Sequence, residues 1–148
     1  MLNNTLIELF ERDLTKVVQE LELYKSEMNI WKVENGIANS AGNLVLHLIG
    51  NLNTYIGKEI GKTDYVRNRE LEFSQKDVPR TNLIAQVKNT LNVVKKSLTN
   101  LTAEDLSNKY PLVVLDAETT TEFFLVHLFG HLNYHLGQIN YHRRMIEG

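Results

Sequence analysis

Apolar residues recur every three or four positions along most of this chain, the period of a helix laid against a core. Leu6, Phe10, Leu14, Val17, Leu21, Tyr24 and Met28 form the first such stripe, with charged residues opposite. A turn is expected at Asn35-Gly36, a pair that tolerates left-handed backbone. Asn39 or Ser40 then caps a second helix, whose stripe reads Leu44, His47, Leu48, Asn51, Leu52, Tyr55, Ile56 and stops by Gly61. Residues 62–78 are irregular and dense in charge. Pro79 suits the start of a third helix carrying Leu83, Val87, Leu91, Val94, Leu98 and Leu101. Residues 102–118 connect it to the last helix, with Pro111–Leu115 expected as a short extended piece. Thr119-Thr120-Thr121-Glu122 has the spacing of a capping box opening that helix, which runs to the C-terminus. Four amphipathic helices with two longer connections predict an all-α four-helix bundle, a single domain over residues 1–148.

Composition narrows the chemistry. The formal net charge of −2 offers no basic surplus for phosphate, so neither nucleic acid nor an anionic membrane is the expected partner. The chain has no cysteine, which removes disulfides, thiolate metal sites and a cysteine nucleophile together. No apolar run approaches the ~20 residues of a membrane span, and Glu8, Glu11, Arg12 and Asp13 interrupt any leader-like start. A cytoplasmic protein is the expectation.

Candidate chemistry lies in the histidines. His127, His131 and His135 are spaced four apart on the predicted last helix. Each four-residue step turns ~400° and rises ~6 Å, so all three share a face, but only a neighbouring pair can reach one ion. A pair leaves a metal short of ligands, and His47, on the apolar stripe of the second helix, offers a third imidazole. Geometry leaves open whether the pair is His127/His131 or His131/His135. Burying several imidazoles is costly unless each nitrogen finds a partner, and one ion satisfies three at once. His142, beside Arg143 and Arg144 near the chain end, reads as a cation complementing the helix dipole. Gln138 lies within a turn of His135 and can orient a ligand. A zincin is excluded because Leu128 and Leu132 follow His127 and His131, and a carboxylate-bridged di-iron bundle because no histidine has Glu three positions before it.

Asn39-Ser40-Ala41-Gly42-Asn43-Leu44-Val45-Leu46-His47, followed by His131-Leu132-Asn133-Tyr134-His135-Leu136-Gly137-Gln138-Ile139, resembles the DinB-like superfamily, including its YfiT-like metal-dependent hydrolases. The likeness extends over nearly the whole chain and takes in Arg67-x-Arg69-x-x-Glu72-Phe73. It implies a DinB-type four-helix bundle, often a homodimer, holding a nickel, zinc or similar ion through His47, His131 and His135. His127 becomes a neighbour one turn before the site. Relatives commonly carry Arg where this chain has Leu136, so no anion contact transfers to that position. Arg67 and Arg69 are then the nearby candidates for positive charge, or else ion-pair partners fixing a long connection.

The resemblance implies a metal-dependent enzyme acting on a small molecule, with a thiol S-transferase leading. Bacillithiol or another low-molecular-weight thiol would be its cofactor, and Gln138 and Tyr134 its orienting groups. A metal-dependent hydrolase is the enzymatic alternative. A metal-binding stress-response bundle without turnover is the third.

Overall fold

The stripe that begins at Leu6 becomes α1 (Leu2–Leu23), the first of six α-helices in the computed structural model, which describes residues 1–148. The others are α2 (Ala41–Leu52), α3 (Arg69–Ser74), α4 (Arg80–Thr99), α5 (Ala103–Ser107) and α6 (Thr121–Glu147). The four longer helices follow the predicted stripes. α1 packs on α4 and α6, and α2 packs on α4, α6 and the short α3. Between them 28 buried apolar residues form one cluster, with Phe10, Leu21, Leu52, Leu83, Leu98 and Leu132 fully enclosed. No helix is long and apolar enough to cross a membrane.

Departures from the predicted elements have local causes. α1 stops at Leu23 rather than continuing to Met28, because Tyr24 leaves the helix with ψ 127°. The carboxylate of Glu147, at the far end of the chain, accepts hydrogen bonds from the Lys25 and Ser26 amides and holds the departing backbone. A turn of 3₁₀-helix at Glu27–Trp31 then buries Ile30 and Trp31 and leaves Met28 74% exposed. Gly42 makes this packing possible: a Cβ there would lie 2.5 Å from the Trp31 ring.

α2 begins where the sequence places it, with the Ser40 side chain accepting from the Asn43 amide at 3.2 Å. Its far end is different. Asn53–Lys58 form a turn of π-helix, in which the Glu59 and Gly61 amides reach back five residues, to Thr54 and Ile56. The Tyr55 carbonyl there accepts from the Tyr110 hydroxyl at 2.6 Å, and the Asn53 side chain donates to Thr90 of α4.

Pro111–Leu115 do not form a strand. The connection closes instead through an isolated antiparallel bridge between Lys109 and Thr120. α6 is capped by Thr120, whose side chain accepts from the Phe123 amide, so Glu122 sits one position too early to complete the expected box. A reciprocal box occurs on α5, between Thr102 and Asp105.

Candidate metal centre

Three helices converge on one point. Ser40 and Asn43 fix the first turn of α2, and His47 follows one turn later, 7% exposed. The Asn43 side-chain amide also donates to the carbonyls of Glu72 and Gln75, tying α3 to that first turn. α6 crosses α2 and brings His131 and His135 to the same place, each half-buried. His131 Nε2 lies 3.2 Å from His47 Nε2 and 3.1 Å from His135 Nε2. All three ligand-competent nitrogens fall within 4.8 Å of one another.

Hydrogen bonds on the outer nitrogens decide what the inner ones present. Glu72 Oε1 accepts from Nδ1 of His47 at 3.0 Å, which leaves the Nε2 lone pair of His47 facing inward. Gln138 Oε1 accepts from Nδ1 of His135 at 2.7 Å, with the same result. His131 Nδ1 is buried without a partner, so the proton it carries when Nε2 presents its lone pair makes no hydrogen bond. A proton on His131 Nε2 can satisfy only one neighbour and sets the other lone pair against it. A cation at the centre suits all three. Nitrogens bound at ~2.0–2.1 Å with tetrahedral angles lie roughly 3.3 Å apart, close to the two short separations here.

The site is also arranged to stay unprotonated. Burial, reinforced by the neighbouring imidazoles, pushes the His131 pKa down to about 4. Burial lowers that of His135 as well, against the opposing hydrogen bond that its Nδ1 donates to Gln138. Neutral imidazole is the form that ligates metals.

Behind His47 stands a buried carboxylate that sequence reasoning did not single out. Glu72 is only 6% exposed. Arg67 grips it with two hydrogen bonds, Nε to Oε2 at 2.9 Å and Nη2 to Oε1 at 3.0 Å. Burial would raise the Glu72 pKa, but the contacts from His47 and Arg67 outweigh it and hold the group ionised. Gly50 gives this carboxylate its space, since a Cβ there would fall 1.8 Å from Glu72 Oε2. Phe73 covers the other side of the His47 ring at 4.9 Å between centroids. Such outer partners orient a ligand and raise its basicity.

The chain matches a known family, described as "Protein of unknown function (DUF1572)", over residues 3–148. It belongs to that family. No curated protein matches it. Among solved structures it is similar to "the conserved protein of locus from Enterococcus faecalis", at 18% identity and a TM-score of 0.74, over 98% of this chain and 96% of that one. At that identity the likeness is one of fold.

In this family member the predicted histidines part company. His47, His131 and His135 come together, whereas His127 is exposed and stacks on Phe124 at 5.6 Å. His142 is not a surface cation at the helix end. It is 3% exposed, its Nδ1 accepts from the Tyr24 hydroxyl at 2.6 Å, and its Nε2 donates to the Lys32 carbonyl at 2.8 Å. Gln138 is hydrogen-bonded to His135, while Tyr134 is largely exposed with its ring beside His135. Arg67 is a structural ion-pair partner, and Arg69 lies over the Phe73 ring.

Proposed function

We propose that His47, His131 and His135 bind one divalent ion, nickel or zinc, and that the chain is a metal-dependent enzyme of the DinB-like type. In this reading residues 1–148 are one four-helix bundle domain. The reaction joins bacillithiol or another low-molecular-weight thiol, through its sulfur, to an electrophilic carbon of a small molecule, the thiol giving up its proton and the electrophile its leaving group. The observation that carries the reading is the convergence of three imidazole nitrogens with no shared proton able to satisfy them. A bound divalent ion supplies Lewis acidity, which lowers the pKa of a thiol reaching it. Three protein ligands leave a coordination position open, the arrangement of catalytic sites rather than closed structural ones.

The protein's own groups prepare the site. Glu72, clamped by Arg67, sets the tautomer and orientation of His47. Gln138 does the same for His135. Leu44 lines the cavity that His135 borders and gives that side of the centre an apolar wall. The resemblance also brings a homodimer into the reading. The outer side of α6 fits that role by exposing Phe123, Val126, Tyr134 and Tyr141.

The test begins with the metal content of untagged protein. Cobalt-substituted protein should then develop a sulfur-to-metal charge-transfer band on adding bacillithiol, glutathione or a simpler thiol. Conjugation to an electrophile should require metal and thiol together. An unchanged spectrum, with conjugation that survives chelation, overturns the transferase reading. Metal bound with all coordination positions filled by protein would favour a purely structural role.

A further inference from the structure

Beside the three-histidine cluster lies a cavity of about 310 Å³ between the segment leading into α2 and the last turns of α6. His135 and Gln138 form its edge toward the cluster. That volume is at the small end of the roughly 300–1,000 Å³ seen for small-molecule sites.

Its lining contains no charged side chain. Ile37, Ala38, Leu44 and Met145 supply apolar surface, and Tyr141 also lines it. His142 also borders it, but both imidazole nitrogens are already committed, to the Tyr24 hydroxyl and the Lys32 carbonyl. The remaining polar groups, Asn39 and Gln138, are neutral amides. Gln138 spends its oxygen on His135, which leaves the –NH₂ of this lining residue as a donor with no protein partner. An ionic ligand entering here would lose hydration and meet no counter-charge. An uncharged ligand with an apolar body would lose little and could place one acceptor on Gln138.

We propose that this cavity binds an uncharged, largely apolar small molecule carrying one hydrogen-bond acceptor, and presents it to the three-histidine centre across His135. As a substrate site this rests on the metal-enzyme reading, where it would take the electrophile; as a binding site it does not depend on the metal. Multiply charged thiols such as bacillithiol and glutathione would have to approach the centre by another side.

Benzamide, benzoate and benzamidinium share a ring and a size but differ in charge, which makes them suitable probes. Each is titrated into the full-length protein, without metal and with zinc, while the methyl resonances of Ala38, Leu44 and Met145 are followed by NMR. Benzamide should shift these signals saturably in both forms, binding at least about tenfold more tightly than either ion in the metal-free form. Met145→Glu places a carboxylate in the wall at an exposed position of the last turn of α6. It should weaken benzamide and reverse the order in favour of benzamidinium. Ala38→Trp should fill the cavity and abolish binding while leaving zinc affinity unchanged.

Equal binding of all three probes, a preference for benzoate in the metal-free form, or shifts that miss these methyl groups would overturn the proposal. Benzamide binding in protein that takes up no zinc would leave the cavity assignment standing and remove the metal reading. Zinc binding with no benzamide shift up to its solubility limit would do the reverse.

Discussion

Glu72 Oε1 lies 3.0 Å from Nδ1 of His47, and the same oxygen accepts from Nη2 of Arg67, whose Nε holds Oε2. The carboxylate thus reaches the centre through the imidazole. Glu72→Gln should lower metal affinity by about 10- to 100-fold, the usual effect of removing such a partner. Competition with a chromogenic chelator measures it. Unchanged affinity in a folded Glu72→Gln protein would show that His47 needs no orienting partner.

Gly50 gives an independent route to the same contact. Its missing side chain is the space that Glu72 fills. Gly50→Ala should push the carboxylate away from His47 and weaken metal binding in the same direction as Glu72→Gln. Because both act on one contact, the double variant should lose less than the product of the two single effects.

The histidines should divide three against two. His47→Ala, His131→Ala and His135→Ala should each lose most bound metal. His127→Ala and His142→Ala should keep it, since the first is exposed on Phe124 and the second is engaged with Tyr24 and Lys32. Metal analysis after dialysis reads all five. Retention in His47→Ala, or loss in His127→Ala, would reassign the ligand set.

His142 should matter for stability instead. His142→Phe leaves the buried Tyr24 hydroxyl without its partner, at a cost of roughly 1–3 kcal/mol, and removes the bond to the Lys32 carbonyl. Denaturant unfolding near neutral pH measures the loss.

Part of the acid sensitivity should run through the same residue, beside the shares of His131 and His135. Burial holds the folded-state pKa of His142 below its usual value, with the Lys32 carbonyl and Glu34 opposing. The unfolded chain therefore takes up a proton near pH ~6.5, before the folded protein does, and protonation there favours unfolding. This contribution is complete above about pH 6.5 and is lost as the pH falls toward the folded-state value. His142→Phe should flatten that part of the stability–pH curve. An equally steep curve in the variant would leave the acid sensitivity to His131 and His135.

The helices were legible because their stripes are long and regular, and Ser40 and Pro79 mark real starts. The histidine spacing allowed two metal pairs, and the family likeness pointed to the one that the structure brings to His47. Glu72 was harder to see. It sits in a charged, irregular segment that reads as solvated, and its burial depends on Arg67 and on the space at Gly50, a contact distant in sequence. His142 was misread because Arg143 and Arg144 suggest an exposed end, yet it is in phase with Leu128, Leu132 and Ile139 on the buried stripe. Position along a helix axis gave the wrong answer where position around it would have given the right one.

The π-turn at Asn53–Lys58 also bears on how relatives of this chain should be aligned. One extra residue in a helix advances everything after it by ~100° around the axis. A chain that keeps His47 and its partner carboxylate but lacks the extra residue would reach the irregular 62–68 segment one residue sooner, and that segment would absorb the difference. The gap separating such sequences would then fall inside a helix, where alignment methods resist opening one. Spacing from His47 to the acidic residue is therefore a poor guide to homologous sites, and the carboxylate should be sought by its arginine partner and by the glycine that makes room for it.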